Sequence, residues 1–243
     1  MARKATGGTG TGKAKSGKPK TKSTAKERRK SSDRRRPPGP GEIRQSALNA
    51  ALTLTAAEGW RTITLESIAA AAGLSLTQLK TVFPCKAAVL NGFFERIDAE
   101  VLAGGPADAD ETPRDRLFEV LMRRFDALTP HREVVRSILH DCTVTPLAGL
   151  VTLPRFLQSM AWMMEAAGLS ASGLRGLIHT KGLAAIYLYV LSIWLDDDSP
   201  DLAKTMAALD KGLTRADNLV AVGARFCPPR PKAAADAATE DAP

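Results

Sequence analysis

Thr77, Gln78, Lys80 and Thr81 lie close together in the stretch GLSLTQLKTVFPCK, residues 73–86, and have the side-chain chemistry of a groove reader. Glutamine can pair its amide with adenine. Threonine offers a hydroxyl to a base edge or phosphate and a methyl to thymine, and lysine reaches phosphate or guanine. Leu76, Leu79 and Phe83 recur at i, i+3, i+7 and are expected to face neighbouring helices with Val82 beside them, leaving the four polar residues outward. The same residues would be ordinary on any solvated helix, and helical hairpins that bind no DNA are the commoner kind. Periodicity therefore leaves both readings open.

The elements that must position these residues are punctuated clearly. Ser75 caps the short helix, Gln78 completes a Ser-x-x-Gln capping box, and Pro84 ends the helix near Phe83 because it lacks an N–H and forces the preceding residue out of helical geometry. Thr64 caps the helix before it, which has Leu65, Ile68, Ala69 and Ala72 on one side and stops at Gly73. Two helices separated by Gly73-Leu74-Ser75 have the spacing of a helix-turn-helix. A first helix is expected from Glu42 to Glu58, with Ile43, Ala47, Ala50, Ala51 and Leu54 as its stripe, and a fourth from Lys86 to about Leu102.

The period remains helical as far as about Val222, so the fold class is all-α with about nine helices. Pro113 opens the fifth behind Thr112, Pro130 separates it from the sixth, and the sixth fades near Cys142. Pro146 and Pro154 bracket a kinked approach to the seventh, which ends at Gly168. Ser170 or Ser172 starts the eighth, up to Leu195, and Ser199-Pro200-Asp201 opens the ninth. The expected organisation is a basic disordered arm at 1–40, a helix-turn-helix head at 41–103, a second helical domain at 112–223, and a low-complexity tail at 224–243.

Charge and cysteine usage narrow the function further. The net charge of +8 over 243 residues is uneven, since residues 1–40 hold 14 Lys and Arg against Glu27 and Asp33. The basicity that suits a polyanion belongs to the arm, with Arg34, Arg35 and Arg36 as a minor-groove candidate beside Pro37 and Pro38. The head has Arg44, Arg61, Lys80, Lys86 and Arg96 against six acids. Cys85, Cys142 and Cys227 fit neither a disulfide framework nor a metal site. No apolar run is expected to cross a membrane and no secretory signal is read, so the expectation is a cytoplasmic protein without stable membrane insertion.

Catalytic readings are weak. GGTGTGKA at 7–14 imitates a phosphate loop, but Ala14 replaces the needed hydroxyl. His140, Asp141 and Cys142 are consecutive and point apart on a helix, and Asp196, Asp197, Asp198 and Asp201 read as a solvated acidic turn. No enzyme activity, metal or cofactor is expected.

The stretch ALTLTAAEGWRTITLESIAAAAGLSLTQLKTVFPCKAAVL resembles the N-terminal domain of TetR-type bacterial transcriptional regulators in its Gly59-Trp60 corner and in its Thr-hydrophobic-x-x-Ile-Ala, Ala-Gly-hydrophobic-Ser and Phe-Pro-x-Lys elements. The resemblance implies double-stranded DNA as partner. Thr64 would be a backbone-contacting cap, Leu76, Thr77, Gln78 and Thr81 would lie in or beside the groove, and Lys86 would hold a phosphate. Lys80 departs from the aromatic usual at its position but keeps the capacity for a phosphate contact.

In such regulators the C-terminal half binds an effector and dimerises. RDRL at 114–117, PHREVVRSIL at 130–139 and the segment 183–213 also look like the coenzyme-Q-biosynthesis lipid-binding proteins, which share the fold without binding DNA. Either resemblance implies an apolar pocket, with Phe118, Met122, Phe125, Phe156, Met160, Trp162, Met163, Met164, Ile186 and Tyr187 as candidates and a small apolar effector or an isoprenoid lipid as occupant. Methionine and aromatic residues at helical spacing also suit a plain core. A homodimer through the last two helices is expected, using Leu183, Ile186, Val190, Ile193, Leu209 and Leu213.

Overall fold

The short N-terminal helices begin at residues that take their unpaired amides, as expected. The computed structural model describes Gly8, Gly10 and residues 38–144 and 146–226, with side chains outside 146–151 and 219–226. Arg34, Arg35 and Arg36 and most of both tails lie outside the described residues. Helix α1 (Pro40–Glu58) starts behind Gly39, whose N–H donates to Glu42 at 3.0 Å. α2 (Leu65–Ala71) is held by Thr64, whose hydroxyl oxygen accepts from Ser67 N–H at 3.1 Å, and α3 (Leu76–Val82) by Ser75, which accepts from Gln78 N–H at 3.2 Å. The turn between them needs φ +66° at Gly73, a conformation that glycine adopts without strain.

Helix α4 (Lys86–Ala103) passes close to α3. A Cβ at Gly92 would lie 2.8 Å from the Phe83 ring, so glycine is what allows Phe83 to pack there. Phe83, Leu79, Ile68, Ala47, Val89 and Phe93 form the head's buried cluster.

Helix α5 (Pro113–Leu128) ends in a 3-10 turn, Thr129–His131, and α6 (Arg132–Val144) follows, as the proline punctuation required. Two boundaries differ from expectation, at α7 and α9. α7 (Pro146–Ala166) runs through Pro154, which therefore lies inside the helix and not before it. α8 (Gly173–Trp194) begins behind Ser172, one of its two expected starts. α9 (Ala203–Phe226) starts beyond the Ser199-Pro200-Asp201 turn: the Ser199 hydroxyl accepts Ala203 N–H at 2.9 Å, and Asp197 accepts Thr205 N–H in the first turn. Among the described residues there are nine α-helices and no strand.

The acidic turn is a second correction. Asp197 is fully buried and accepts from Ser199 N–H at 3.2 Å, the Ser199 hydroxyl at 2.5 Å, Thr205 N–H at 2.8 Å and the Thr205 hydroxyl at 2.7 Å. Burial alone would raise its pKa, but the hydrogen bonds from Ser199 and Thr205 hold it well below the usual carboxylate range. Asp196 and Asp198 are exposed.

In the bundle core, Arg124 pairs with Asp98, 1 % and 4 % exposed, and the Ser159 hydroxyl donates to the same Asp98 oxygen at 2.6 Å. This pair ties α4 to α5 and α7. Contrary to expectation, α8 is long and apolar enough by length and composition to cross a membrane. Its composition reflects two apolar faces, one buried through Leu183, Tyr187, Val190 and Trp194, the other exposed.

Candidate DNA-binding face and ligand cavity

The two ends of α3 are fixed differently, and that difference sorts its side chains. Leu79 and Phe83 are each 1 % exposed and anchor the helix, whereas Leu76 is 53 % exposed. The expectation that Leu76 faces the core is corrected: it sits in the first turn, on the same face as Thr77, Lys80 and Thr81, all exposed. Gln78 is half-buried, and its Oε1 accepts from Ser75 N–H at 2.9 Å, with the Ser75 hydroxyl at 3.1 Å. Its carboxamide oxygen is thereby committed to the cap, and its NH2 carries whatever outward contact it makes. The Thr81 hydroxyl donates to Gln78 C=O at 2.6 Å and keeps its acceptor lone pairs. Thr64 is exposed and its hydroxyl oxygen is engaged as the α2 cap.

Three of the head's five cations are committed within the fold. Arg44 pairs with Glu95 and lies over the Phe83 ring at 4.9 Å. Arg96 donates to Asn49 at 2.8 Å and meets His131 at 3.3 Å. Lys86 donates to Ile63 C=O at 2.7 Å and Arg61 C=O at 3.3 Å, and lies 4.9 Å from the Trp60 ring centroid. Burial lowers its pKa, with Asp141 acting in the opposite sense. Two of its three N–H groups brace the corner before α2, which leaves one for a phosphate. Lys80 and Arg61 make no side-chain hydrogen bond or ion pair among the described residues, so the head presents two uncommitted cations.

Between α4, α5, α6, α7 and α8 lies a cavity of about 300 Å³. Its wall includes Leu90, Phe94, Leu128, Val135, Ile138, Leu139, Cys142, Phe156 and Leu191, with Arg124 and Tyr187 as buried polar members. Of the ten expected pocket residues, only Phe156 and Tyr187 line it. Phe125, Met160 and Met163 are fully buried packing residues, with Phe125 stacked on Tyr187 at 5.0 Å. Phe118 and Met122 are half-buried against that core. Trp162 is 50 % exposed. Met164 and Ile186 line a second, larger groove of about 690 Å³ formed by α5, α7, α8 and α9. The expectation took aromatic and sulfur side chains and so missed the α4 and α6 walls, which are mostly plain aliphatic. Arg124 carried a signal that was overlooked, a cation on the apolar stripe of α5 beside Leu117, Val120, Leu121 and Leu128.

Helix α6 touches both regions. Its Ser137 hydroxyl accepts Trp60 N–H at 2.8 Å, its Asp141 is close enough to influence Lys86, and its Val135, Ile138, Leu139 and Cys142 line the cavity. Burial raises the Cys142 pKa, with Asp141 acting in the same sense. His140 and Asp141 approach at 3.8 Å and Cys142 faces the cavity, so the three consecutive residues form no catalytic arrangement. The dimer expectation also needs correcting at the level of residues: Leu183, Val190, Leu209 and Leu213 are buried within the protomer. The apolar residues α8 exposes are Leu174, Leu177, Ile178, Leu188 and Tyr189.

Solved structures with this architecture include a TetR transcriptional regulator from Nitrosomonas europaea ATCC 19718, 24% identical with a TM-score of 0.59, the match covering 72% of this chain and 98% of that one. A TetR-family transcriptional regulator from Streptomyces coelicolor is 18% identical with a TM-score of 0.52, over 78% of this chain and 85% of that one. Another from Rhodococcus sp. is 20% identical with a TM-score of 0.51, over 73% and 98%. No protein-family model and no curated protein matches the chain. The described residues therefore have the TetR fold.

Proposed function

We propose that this protein is a homodimeric, cytoplasmic DNA-binding transcriptional regulator, acting as a repressor, that leaves a palindromic operator when a small effector enters the cavity. One observation supports this most: α3 is capped at its start and anchored by Leu79 and Phe83, while Leu76, Thr77, Lys80 and Thr81 stand exposed on one face. That is the requirement for a helix that enters a major groove by its N-terminal part. The fold shared with TetR-type regulators supports the same reading.

The head needs help with affinity. Two uncommitted cations neutralise few phosphates, so the basic arm with Arg34, Arg35 and Arg36 supplies much of the grip and α3 chooses the sequence. The exposed apolar residues of α8 form the dimer contact together with α9, which pairs two heads with two half-sites. Helix α6 transmits the signal, since an effector that moves its cavity face also moves the Trp60 corner and Lys86. The effector acts by population shift, through preference for the operator-incompetent arrangement.

A lipid carrier on the same fold would not use an exposed, capped α3. The cavity of about 300 Å³, at about 30 Å³ per water-sized group, surrounds roughly ten heavy atoms, so a polyprenyl chain would have to use the larger groove of about 690 Å³ instead. Selection of bound fragments from genomic DNA, followed by titration of the recovered site at several salt concentrations, tests the proposal. Failure to enrich any site, with isoprenoid lipid co-purifying instead, overturns it.

A further inference from the structure

Two buried polar groups in the cavity wall lack partners. Arg124 directs Nη1 to Asp98, but its Nε–H makes no hydrogen bond. Tyr187 is 2 % exposed, and its hydroxyl lies near enough to the guanidinium to interact with it electrostatically but has no hydrogen bond of normal geometry, so its own O–H is left to donate. Native interiors leave few such groups unsatisfied, because an unpaired buried donor loses its hydration without compensation. Both residues line the same cavity, whose other walls are largely hydrocarbon.

The missing partner can be specified by its chemistry. Arginine is donor-only and a tyrosine hydroxyl is a ready donor, so the occupant must bring an acceptor. Asp98 already balances the guanidinium charge. A carboxylate in the cavity would be a second negative charge in an apolar enclosure, with no cation of its own, and would pay a full desolvation penalty. A neutral carbonyl oxygen accepts the same hydrogen bonds without that penalty. At about 30 Å³ per group, the cavity of about 300 Å³ surrounds roughly ten heavy atoms of the occupant.

We propose that the cavity binds a medium-chain, uncharged carbonyl compound, a ketone, ester or lactone, with its oxygen at Tyr187 and Arg124 and its hydrocarbon against Phe94 and Phe156. The proposal rests on reading the C-terminal half as the effector-binding half, and it replaces a generic apolar effector with an apolar body bearing one neutral acceptor.

Calorimetric titration of the full chain with octan-2-one, octane and octanoate tests it. The ketone is expected to bind more tightly than the hydrocarbon and the acid. Tyr187→Phe keeps the stack on Phe125 and should weaken the ketone about three- to ten-fold while leaving octane affinity unchanged and the melting temperature no lower. Leu139→Trp, which fills the cavity from α6, should remove binding of all three probes. Octanoate binding as tightly as the ketone, an equal loss for ketone and octane in Tyr187→Phe, or no binding of any probe overturns the proposal. Genomic DNA selection on the same preparation separates the two readings. Site enrichment without probe binding sinks only this proposal, and ketone binding without site enrichment leaves it standing while the regulator reading falls.

Discussion

The Ser137 hydroxyl accepts the Trp60 backbone N–H at 2.8 Å, joining the middle of α6 to the corner that precedes α2. Gly59, at φ +86°, turns the chain so that this amide points at α6. Ser137→Ala leaves the amide without its acceptor, at a cost of about 1 kcal/mol. Hydrogen exchange at the Trp60 amide should accelerate in the variant, with smaller changes in the cores of α5 and α8. Unchanged protection at Trp60 would show that α6 does not brace the corner.

The Asp98–Arg124 pair is expected to behave as a unit. Arg124→Met strands a buried carboxylate and should cost roughly 3–5 kcal/mol, whereas adding Asp98→Asn should recover a large part of that loss. Urea denaturation of both single variants and the double variant measures the coupling. Additive losses would contradict a paired arrangement.

Asp197 gives the pH prediction. Burial opposes its ionisation, but hydrogen bonds from Ser199 and Thr205 win and depress the folded-state pKa. A depressed carboxylate pKa contributes stability that is fully present above the unfolded value of about 3.9 and is lost as pH falls through that value towards the folded one. Asp197→Asn should therefore be less stable at neutral pH and lose less on acidification. Parallel urea midpoints for wild type and variant from about pH 6 to about pH 3 would count against the depressed pKa.

Lys80 and Lys86 should separate in DNA binding. Lys80→Ala is expected to weaken operator and random DNA alike and lower the salt slope by about one without changing stability. Lys86→Ala removes the brace on Ile63 and Arg61 carbonyls, so a lower melting temperature should accompany any loss of phosphate contact. Gln78→Ala should relax base preference at one position of each half-site and weaken the α3 cap by about 1 kcal/mol. Anisotropy titrations at several salt concentrations, read beside thermal melts, distinguish the three.

The exposed apolar face of α8 gives a test of assembly. Ile178→Asp combined with Tyr189→Asp should leave the helical content intact and convert a dimer to monomer in sedimentation velocity. A dimer that survives both changes would place the contact elsewhere.

Local chemistry made much of the head legible in the sequence. Thr64, Ser75, Gln78, Gly73 and Pro84 act within three or four residues of themselves, through caps, a left-handed turn and a missing N–H, so their effect was fixed before any long-range contact. The boundaries of α1 to α6 follow from such signals. The exposure of Leu76 does not, because an apolar residue in a first turn faces the core only if another helix reaches over it, and none does.

The C-terminal half shows where sequence reading stops. Periodicity marks Phe125, Met160, Met163 and Leu183 as apolar-face residues, but it cannot tell a core from a cavity wall, since both want the same side chains. That distinction depends on the spacing of helices brought together from distant parts of the chain: α6 and α8 place Ile138 and Leu191 around empty space while Phe125 fills it elsewhere. Nor could the run Asp196–Asp198 reveal that its middle carboxylate turns inward to Thr205. The sequence by itself determined the all-helical class, the ends of the helices about α3 and the polar outward chemistry of Thr77, Lys80 and Thr81. Only the tertiary structure decided that Lys86 braces a corner, that α8 keeps a second apolar face exposed, and that Arg124 and Tyr187 meet in one cavity with donors unsatisfied, because each depends on which surfaces the packed helices cover.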